Sequence, residues 1–324
     1  MLEGYKSILI ALVPIYLFII GGYFFRKVGW LSQSADESLL KLQINFFYPA
    51  LIFSYIFRNQ ALKNPALLVW PPIIGFSSIM VGFLLSYCIA RGFNYRVGKG
   101  LRTFAFTTGI YNYGFIAIPL IHAVYHSKSA TGTLMVHNSG VDAAIWTVGI
   151  LLLTGGFDRN FYKKLLNPPI IALLLGLILN FLIPEWSKSE SFALRGFDAL
   201  IDTISWTGHC SVPLALILIG ASVSDLIGDS SLKPDWKLIS IGCSTRLFLL
   251  PVIFITAAVL LPVPMELKLV MLIQASMPTG MFPIIMAKHY GGTPQVAVQI
   301  VISTTLLSLL TTPLWVTVGQ HFVH

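Results

Sequence analysis

Apolar stretches long enough to cross a lipid bilayer recur along this chain and leave little sequence between them. A bilayer core about 30 Å thick requires roughly 20 apolar residues in a helix. Ten such stretches occur, at residues 7–25, 37–57, 66–90, 102–125, 133–155, 169–184, 197–223, 237–261, 267–288 and 295–319. The connections are short and polar, as in "RGFNYRVGKGLR". This pattern predicts an all-α membrane protein with ten transmembrane helices.

The composition also indicates a protein embedded in lipid. Of the 324 residues, 56% are hydrophobic and 10% are charged, whereas soluble domains carry roughly 25% charged residues. The formal net charge of +8 comes from basic residues scattered over the connections. We therefore expect the lipid bilayer, and not nucleic acid, as a partner. Three cysteines lie in apolar stretches without CxxC spacing and are interpreted as packing residues: Cys88, Cys210 and Cys243.

Basic residues are distributed unequally between the two sides of the predicted membrane. Of 21 Lys and Arg residues, twelve lie in the odd-numbered connections, seven lie on the other side with the termini, and Lys41 and Arg246 lie inside apolar stretches. Because cytoplasmic loops carry the excess of Lys and Arg, we predict cytoplasmic odd-numbered connections and extracytoplasmic termini. No small-residue cleavage site follows the first stretch, which is interpreted as an uncleaved span in the cell (inner) membrane.

The second half of the chain repeats features of the first at an offset near 165 residues. The features in register are Pro49 and Pro213, Trp70 and Trp236, and Gly114 and Gly280. Five spans per half give the halves, 1–156 and 157–324, opposite orientations in one membrane domain. Inverted repeats of this kind occur in many secondary transporters. The alternative is that apolar helices with prolines resemble one another through composition alone.

Two spans are interrupted at matching positions, by "GIYNYGFIAIP" in span 4 and by "ASMPTGMFP" in span 9. Proline removes a hydrogen-bond donor, and glycine permits sharp main-chain turns. If both breaks lie near the membrane midplane, each following half-helix directs its N-terminal amides toward the protein centre, where an anion could be held. The alternative is a pair of proline kinks that serve packing only.

Polar and ionisable residues gather near the predicted depth of the breaks. Asn138 and Asp142 are four residues apart and share one helix face. Asp142 and Arg246 lie roughly 15 Å deep, where an ionisable group needs a partner or a functional cavity. We predict that they form a structural ion pair or take part in ion coupling. The predicted substrate-binding residues are Asn45, Asn112, Tyr113, Gly114, Pro119, Asn138, Ser276, Pro278, Thr279, Gly280 and Pro283.

Several of these segments resemble the auxin efflux carrier (PIN-like) family. "NYGFIAIP" resembles the asparagine, glycine and proline pattern of its fourth span, and "MPTGMFPIIMAKHYGGTPQVAVQIVISTTLLSLLTTP" resembles its last two spans. "FYPALIF" and "VPLALILIGASVSD" are similar to its second and seventh spans. The resemblance covers essentially the full chain, whose short connections are similar to those of compact bacterial members. The sequence departs from the family pattern at Ala117, where glycine is frequent in the first break.

The resemblance implies a fold and an activity. The fold would be a ten-span inverted repeat, related to the bile acid and sodium symporters, with spans 4 and 9 crossing at the substrate site. Asn112 and Pro119 would belong to one side of that crossing, and the segment from Pro278 to Pro283 to the other. The activity would be efflux or exchange of small organic anions, such as auxin-like carboxylates, malonate or malate.

The sequence therefore predicts a secondary transporter of small carboxylates that works by alternating access at a midplane site. We expect no cofactor; coupling to sodium or to a proton, and a homodimeric assembly, remain open. The alternatives are a sodium-coupled symporter, a membrane receptor that does not transport, and an intramembrane enzyme. Against an enzyme, we find no HExxH, no paired aspartate motif and no nucleophile arrangement built on Ser or Cys. We also find no P-loop for an ATP-driven pump.

Overall fold

A computed structural model describes residues 2–156, 167–183, 192–228 and 234–323. Regular structure in these ranges is helical, apart from one antiparallel bridge between Tyr111 and Thr279. We number the helices in chain order and give letters to the two parts of a divided helix. They are α1 Leu2–Lys27, α2 Gln33–Ile56, α3 Ala66–Gly92, α4a Leu101–Gly109, α4b Ala117–Tyr125, α5 Lys128–Thr154, α6 Pro168–Leu182, α7a Phe192–His209, α7b Ser211–Gly228, α8 Trp236–Leu260, α9a Met265–Ala275, α9b Phe282–His289 and α10 Pro294–Phe322.

The helices have the length and composition expected in a bilayer. Within the described ranges, seven are long and apolar enough to cross a membrane: α1, α2, α3, α5, the α7 pair, α8 and α10. Helix α6 is apolar but has 15 residues, and α4 and α9 are each divided into two short parts. Each predicted stretch overlaps one helix or one pair. The prediction of an all-helical membrane protein is confirmed. Fewer helices than the predicted ten are long and apolar enough to span a membrane by themselves.

Side-chain exposure follows the pattern of a membrane protein. Large apolar side chains cover the outer faces of the helices, and Leu84 and Leu260 are 63% and 74% exposed. Polar side chains such as Thr304 are instead buried between helices. Among the cysteines, Cys243 is buried as a packing residue would be, whereas Cys88 and Cys210 are exposed. An apolar exterior around a partly polar interior is stable when lipid, and not water, surrounds it.

Glycines bring two pairs of helices into main-chain contact. Gly220 of α7b lies against the main-chain oxygen of Ile19 in α1, and a Cβ atom there would overlap with it. Gly140 of α5 lies in the same way against the main-chain oxygen of Pro72 in α3. Lipid supplies no hydrophobic driving force between apolar helices, so close contact through small residues is a main source of packing energy. The second contact fixes α5, the helix that carries Asn138 and Asp142.

Three of the described membrane helices contain a π-helical turn, in which one extra residue is accommodated per turn. The turns are Gln43–Phe47 in α2, Ile145–Gly149 in α5 and Thr245–Leu249 in α8. An inserted residue rotates the following side chains about the helix axis relative to the preceding ones. Such turns often occur at functional sites. The turn in α2 begins at Gln43, whose amide Nε2 donates to the Ser211 hydroxyl at 2.6 Å. The π-helical turn of α2 therefore contacts the start of α7b.

Candidate functional site

The two interrupted segments meet and pair through their main chains. The bridge between Tyr111 and Thr279 is flanked by two hydrogen bonds. The Asn112 amide donates to the carbonyl of Pro278 at 2.8 Å, and the Gly280 amide donates to the carbonyl of Ile110 at 3.2 Å. Main-chain groups released by a helix break must find partners inside a membrane protein. Here each break supplies partners to the other, which holds the crossing together.

The prolines of the two breaks lie inside the helices that follow them. Pro119 is the third residue of α4b, and Pro283 is the second residue of α9b. Proline is tolerated in the first turn of a helix because the amide it lacks would have no intrahelical partner there. The Asn112 side chain assists the start of α4b, since its Oδ1 accepts from the Ile116 amide at 3.3 Å. The breaks are therefore separate helix ends and not bends in continuous helices.

Arg246 supports the crossing from α8 and is 0% exposed. Its Nε donates to the carbonyl of Met277 at 3.1 Å, and its Nη2 donates to the carbonyl of Ala275 at 3.3 Å. The guanidinium also lies 5.3 Å from the ring centroid of Tyr111. Carbonyls at a helix C-terminus carry partial negative charge. The Arg246 cation lies at the C-terminus of α9a and therefore stabilises that helix end.

The predicted ion pair between Asp142 and Arg246 is not formed. Across the described ranges, no basic side chain lies within 4.0 Å of the Asp142 carboxylate. Asp142 instead accepts a hydrogen bond of 2.7 Å from the Tyr113 hydroxyl. The two residues share a similar predicted depth, but Arg246 is engaged by the end of α9a and Asp142 by the break in α4. Depth alone did not specify which neighbour each side chain reaches.

Tyr113 links the break in α4 to two other helices. Its carbonyl accepts from Asn138 Nδ2 of α5 at 2.9 Å and from Gln274 Nε2 of α9a at 3.2 Å. Gln274 also donates to Asn138 Oδ1 at 3.0 Å. A buried amide network of this kind fixes the geometry of the groups that it joins. Gln274 was not predicted, although a glutamine three residues before "MPTG" in an apolar stretch was a usable signal.

A cavity of about 570 Å³ adjoins the crossing. Its inner wall includes residues from both breaks, Tyr48 of α2, Asp142 and Trp146 of α5, and Leu218 of α7b. Its mouth lies between helix ends and is lined by Asp36, Asn167, Asp225 and Lys288. Arg26 binds both acids there, at 2.7 Å from one oxygen of Asp36 and 3.1 Å from Asp225. The volume is that of a site for a small molecule.

Four main-chain amides at this wall have no partner among the described residues. They belong to Gly114 and Phe115 before α4b, and to Met281 and Phe282 at the start of α9b, and all four residues line the cavity. Free amides and the positive end of the helix dipole make a helix N-terminus a site for anions. Two such N-termini face one cavity, which could hold a negatively charged group between them.

The structure brings together part of the predicted site. The predicted residues that line the cavity are Asn112, Tyr113, Gly114, Gly280 and Asp142. Those that lie at the crossing or behind it without lining the cavity are Pro119, Asn138, Ser276, Pro278, Thr279, Pro283 and Arg246. Asn45 lies elsewhere: it is exposed, and its side chain donates to the Lys41 carbonyl of its own helix. Gln43, two residues earlier, lines the cavity in its place.

Paired helix breaks beside a cavity are typical of helical membrane transporters. The chain matches the family described as "Membrane transport protein" over residues 7–159 and 159–316, and it belongs to that family. The predicted resemblance to the auxin efflux carriers is confirmed by this membership. The family membership also indicates a transporter and not an enzyme.

Two archaeal proteins are similar to the chain over nearly its whole length. An "Uncharacterized transporter" of Methanothermobacter thermautotrophicus is 24% identical over 308 residues, which cover 94% of this chain and 95% of the relative. The "Uncharacterized transporter MJ1031" of Methanocaldococcus jannaschii is 22% identical over 307 residues, which cover 93% and 95%. The family match, over residues 7–316, includes both breaks.

Proposed function

We propose that this protein is a secondary transporter of small organic anions, with the carboxylate held at the crossing of α4 and α9. The observation that carries the proposal is the set of four unpartnered amides on one cavity wall. A carboxylate can accept hydrogen bonds from several such amides at once, and these bonds are strengthened by its charge. The aromatic and apolar remainder of the wall, including Trp146 and Phe282, suits a small organic body.

The proposed architecture is two inverted repeats of five helices, residues 1–156 and 157–324. Helix packing supports it, because equivalent helices exchange partners. Helix α1 packs on α7b and α6 packs on α2, while α3 packs on α5 and α8 on α10. Likewise, α4a packs on α10 and α9a packs on α5. Such exchanges are expected when two similar halves are related by a pseudo-two-fold axis in the membrane plane.

The cavity opens toward one side of the membrane. The residues at its mouth adjoin the first, fifth, seventh and ninth connections, which the distribution of Lys and Arg assigns to the cytoplasm. On the opposite side, α4b packs tightly through fully buried residues, namely Ala117, Leu120 and Ile121. In the proposed cycle this is the cytoplasm-open state. Transport would require the cytoplasmic mouth to close and the opposite side to open.

Cysteine labelling tests the proposed orientation. In a background that lacks the three native cysteines, Asn94→Cys in the third connection should react with a membrane-impermeant reagent only after the membrane is opened. Asn64→Cys in the second connection should react in intact cells. Both side chains are exposed, so access depends on the side of the membrane. The opposite labelling pattern would reverse the orientation and make the present cavity open to the exterior.

Removing one amide tests the proposed anion site. Met281 has φ −78°, which proline can adopt, so Met281→Pro deletes the amide N–H with limited main-chain change. Losing a hydrogen bond to a charged group costs about 1.5 to 3 kcal/mol, so carboxylate affinity should fall roughly ten- to 100-fold. The measurement is the thermal stabilisation of purified protein by malonate, malate and indole-3-acetate, with and without sodium.

Met281→Ala is the matched control, because it removes the same side chain and keeps the amide. It should retain most of the ligand-induced stabilisation. Equal loss in both variants would assign the effect to the side chain, and stabilisation of neither the parent nor the control would argue against carboxylates as ligands. A receptor would bind without turnover, so counterflow of labelled malonate in proteoliposomes distinguishes it from a transporter.

A sodium-coupled symporter is less well supported than an anion carrier with another driving force. Cation sites in transporters often use main-chain carbonyls at helix breaks. At the end of α9a, the carbonyls of Ala275 and Met277 already accept from Arg246. A fixed positive charge at this position repels a second cation, so the sodium-free and sodium-containing arms of the binding experiment should agree.

A further inference from the structure

We infer that Asp142 binds a proton whenever the cavity binds a carboxylate, so that one proton accompanies each anion. This inference rests on the proposed anion site and extends it to the coupling ion. It concerns a residue whose predicted salt-bridge partner lies elsewhere.

Asp142 lies in the wall of the same cavity as the four unpartnered amides. One of its carboxylate oxygens accepts from the Tyr113 hydroxyl at 2.7 Å, and Tyr113 immediately precedes Gly114. The carboxylate is therefore next to the break whose amides are proposed to hold the anion. In the ranges that the structure describes, no cation is within 4.0 Å of it.

The other titratable groups around Asp142 do not supply a compensating charge. Tyr48 faces it from α2 and Tyr113 from the break in α4. Helices α3 and α9a, which pack against α5, contribute Ser78 and Gln274 near this site, and α6 contributes Asn167 to the cavity. His137 on α5 itself is buried beside the ring of Tyr111.

Apart from Asp142, the charged side chains that line the cavity lie at its mouth. Asp36 of α2 and Asp225 of α7b share Arg26. Lys288 of α9b is six residues beyond Phe282, or roughly 9 Å along the helix axis. Lys288 is exposed, so water and salt screen its charge and it neutralises the Asp142 carboxylate poorly. The deep part of the cavity is therefore left with one negative side chain.

Two negative charges in one confined, largely apolar cavity repel each other strongly. When two carboxylates share such a site, binding a proton between them removes the repulsion. A carboxylate ligand at the amides would thus favour the neutral form of Asp142, and neutral Asp142 would favour ligand binding. This coupling is reciprocal by thermodynamic necessity. The proton is taken from the side on which the anion enters and released on the side on which it leaves.

Tyr113 provides a physical link between this proton and the break. Its hydroxyl contacts Asp142, while its carbonyl is held by Asn138 and Gln274. The carboxylate can only accept from the hydroxyl, whereas a neutral carboxyl group carries a donor of its own. Protonation therefore changes the contacts of a residue that is anchored at the crossing. A monocarboxylate and its proton would cross the membrane without net charge.

The first arm of the test needs no ligand. Infrared difference spectra between acidic and alkaline pH report protonated carboxyl groups of the reconstituted protein. The parent should show a carboxyl band that Asp142→Asn lacks. Asp202→Asn is the matched control, because this carboxylate is exposed on α7a away from the cavity, and it should keep the band. An unchanged spectrum in Asp142→Asn would overturn the proton site.

The second arm measures the affinity for malonate and for indole-3-acetate across pH. If one proton is taken up with each anion, the parent's affinity should fall about tenfold per pH unit on the alkaline side. Asp142→Asn, which is permanently neutral, should bind with little dependence on pH, and Asp202→Asn should follow the parent.

The outcomes separate this inference from the proposed function. Anion binding by the parent that does not vary with pH would overturn proton coupling and leave the anion site intact. Complete loss of binding in Asp142→Asn at every pH would also overturn it, because a permanently neutral side chain at this position should leave anion binding intact. Absence of binding in the parent would count against the anion site itself, and the infrared band would decide the proton site.

Discussion

Replacing Gly140 by valine should prevent α5 from packing against α3 and should destabilise the protein by roughly 3 kcal/mol or more. A Cβ atom at Gly140 would overlap with the main-chain oxygen of Pro72, and a main-chain atom inside a helix cannot move aside as a flexible side chain can. The two helices must separate, and α5 carries Asn138 and Asp142. We expect loss of the monodisperse peak in detergent and of ligand-induced stabilisation.

The matched control is Gly196→Val in α7a. Gly196 is also helical, but a Cβ atom there would meet no other group within 4 Å. The control isolates steric overlap from the general effect of a β-branched residue in a helix. If Gly140→Val and Gly196→Val were equally stable by thermal unfolding, the close approach of α3 and α5 would be wrong.

Replacing Arg246 by methionine should destabilise the protein by about 2 to 4 kcal/mol, because two buried carbonyls lose their donor. Methionine fills part of the volume but cannot hydrogen-bond to Ala275 and Met277. It also removes the positive charge from the C-terminus of α9a, where the helix dipole favours a cation. The measurement is thermal unfolding of the purified protein together with its affinity for malonate.

Two further variants define what Arg246 contributes. Arg246→Lys keeps the charge but cannot reproduce the forked geometry, so its stability should fall between those of the parent and Arg246→Met. Arg91→Met, at the exposed end of α3, controls for the loss of an arginine and should change stability little. Wild-type stability in Arg246→Met would contradict the role of this side chain at the crossing.

These experiments probe different parts of one arrangement. Gly140 determines how closely α5 approaches its neighbour, Arg246 stabilises the end of α9a, and the Met281 amide belongs to the cavity wall. A defect in the first two should appear in the unliganded protein. A defect at Met281 should appear only when a carboxylate is added. That difference separates the scaffold of the crossing from the proposed anion site.

Much of the architecture was predictable because the bilayer imposes strict requirements on sequence. A helix must be apolar for about 20 residues to span it, and any break must be compensated inside the protein. The breaks at "NYGFIAIP" and "MPTGMFP" were therefore visible without coordinates. Helical periodicity likewise placed Asn138 and Asp142 on one face of α5. Each of these predictions depends on distance along the chain alone.

Side-chain partners were not predictable in this way, because they depend on helix rotation and on which helices are neighbours. Asn45 was predicted for the site, but α2 contains a π-helical turn that begins at Gln43, and it is Gln43 that lines the cavity. Residues two positions apart in an α-helix point about 200° apart, so the local phase of the helix decides which of the two faces the cavity.

Arg246 shows that contacts between helices are equally hard to predict from sequence. The sequence predicts its depth, but depth is one coordinate, and opposite charge suggested Asp142 as the partner. The packing of α8 against the end of α9a gave it the carbonyls of Ala275 and Met277 instead. By itself the sequence determined the all-helical architecture and the positions of the two breaks, and it predicted the depth of the polar groups. Only the tertiary structure decided which groups meet, because helix contacts join residues far apart in the chain and follow from the packing of all the helices together.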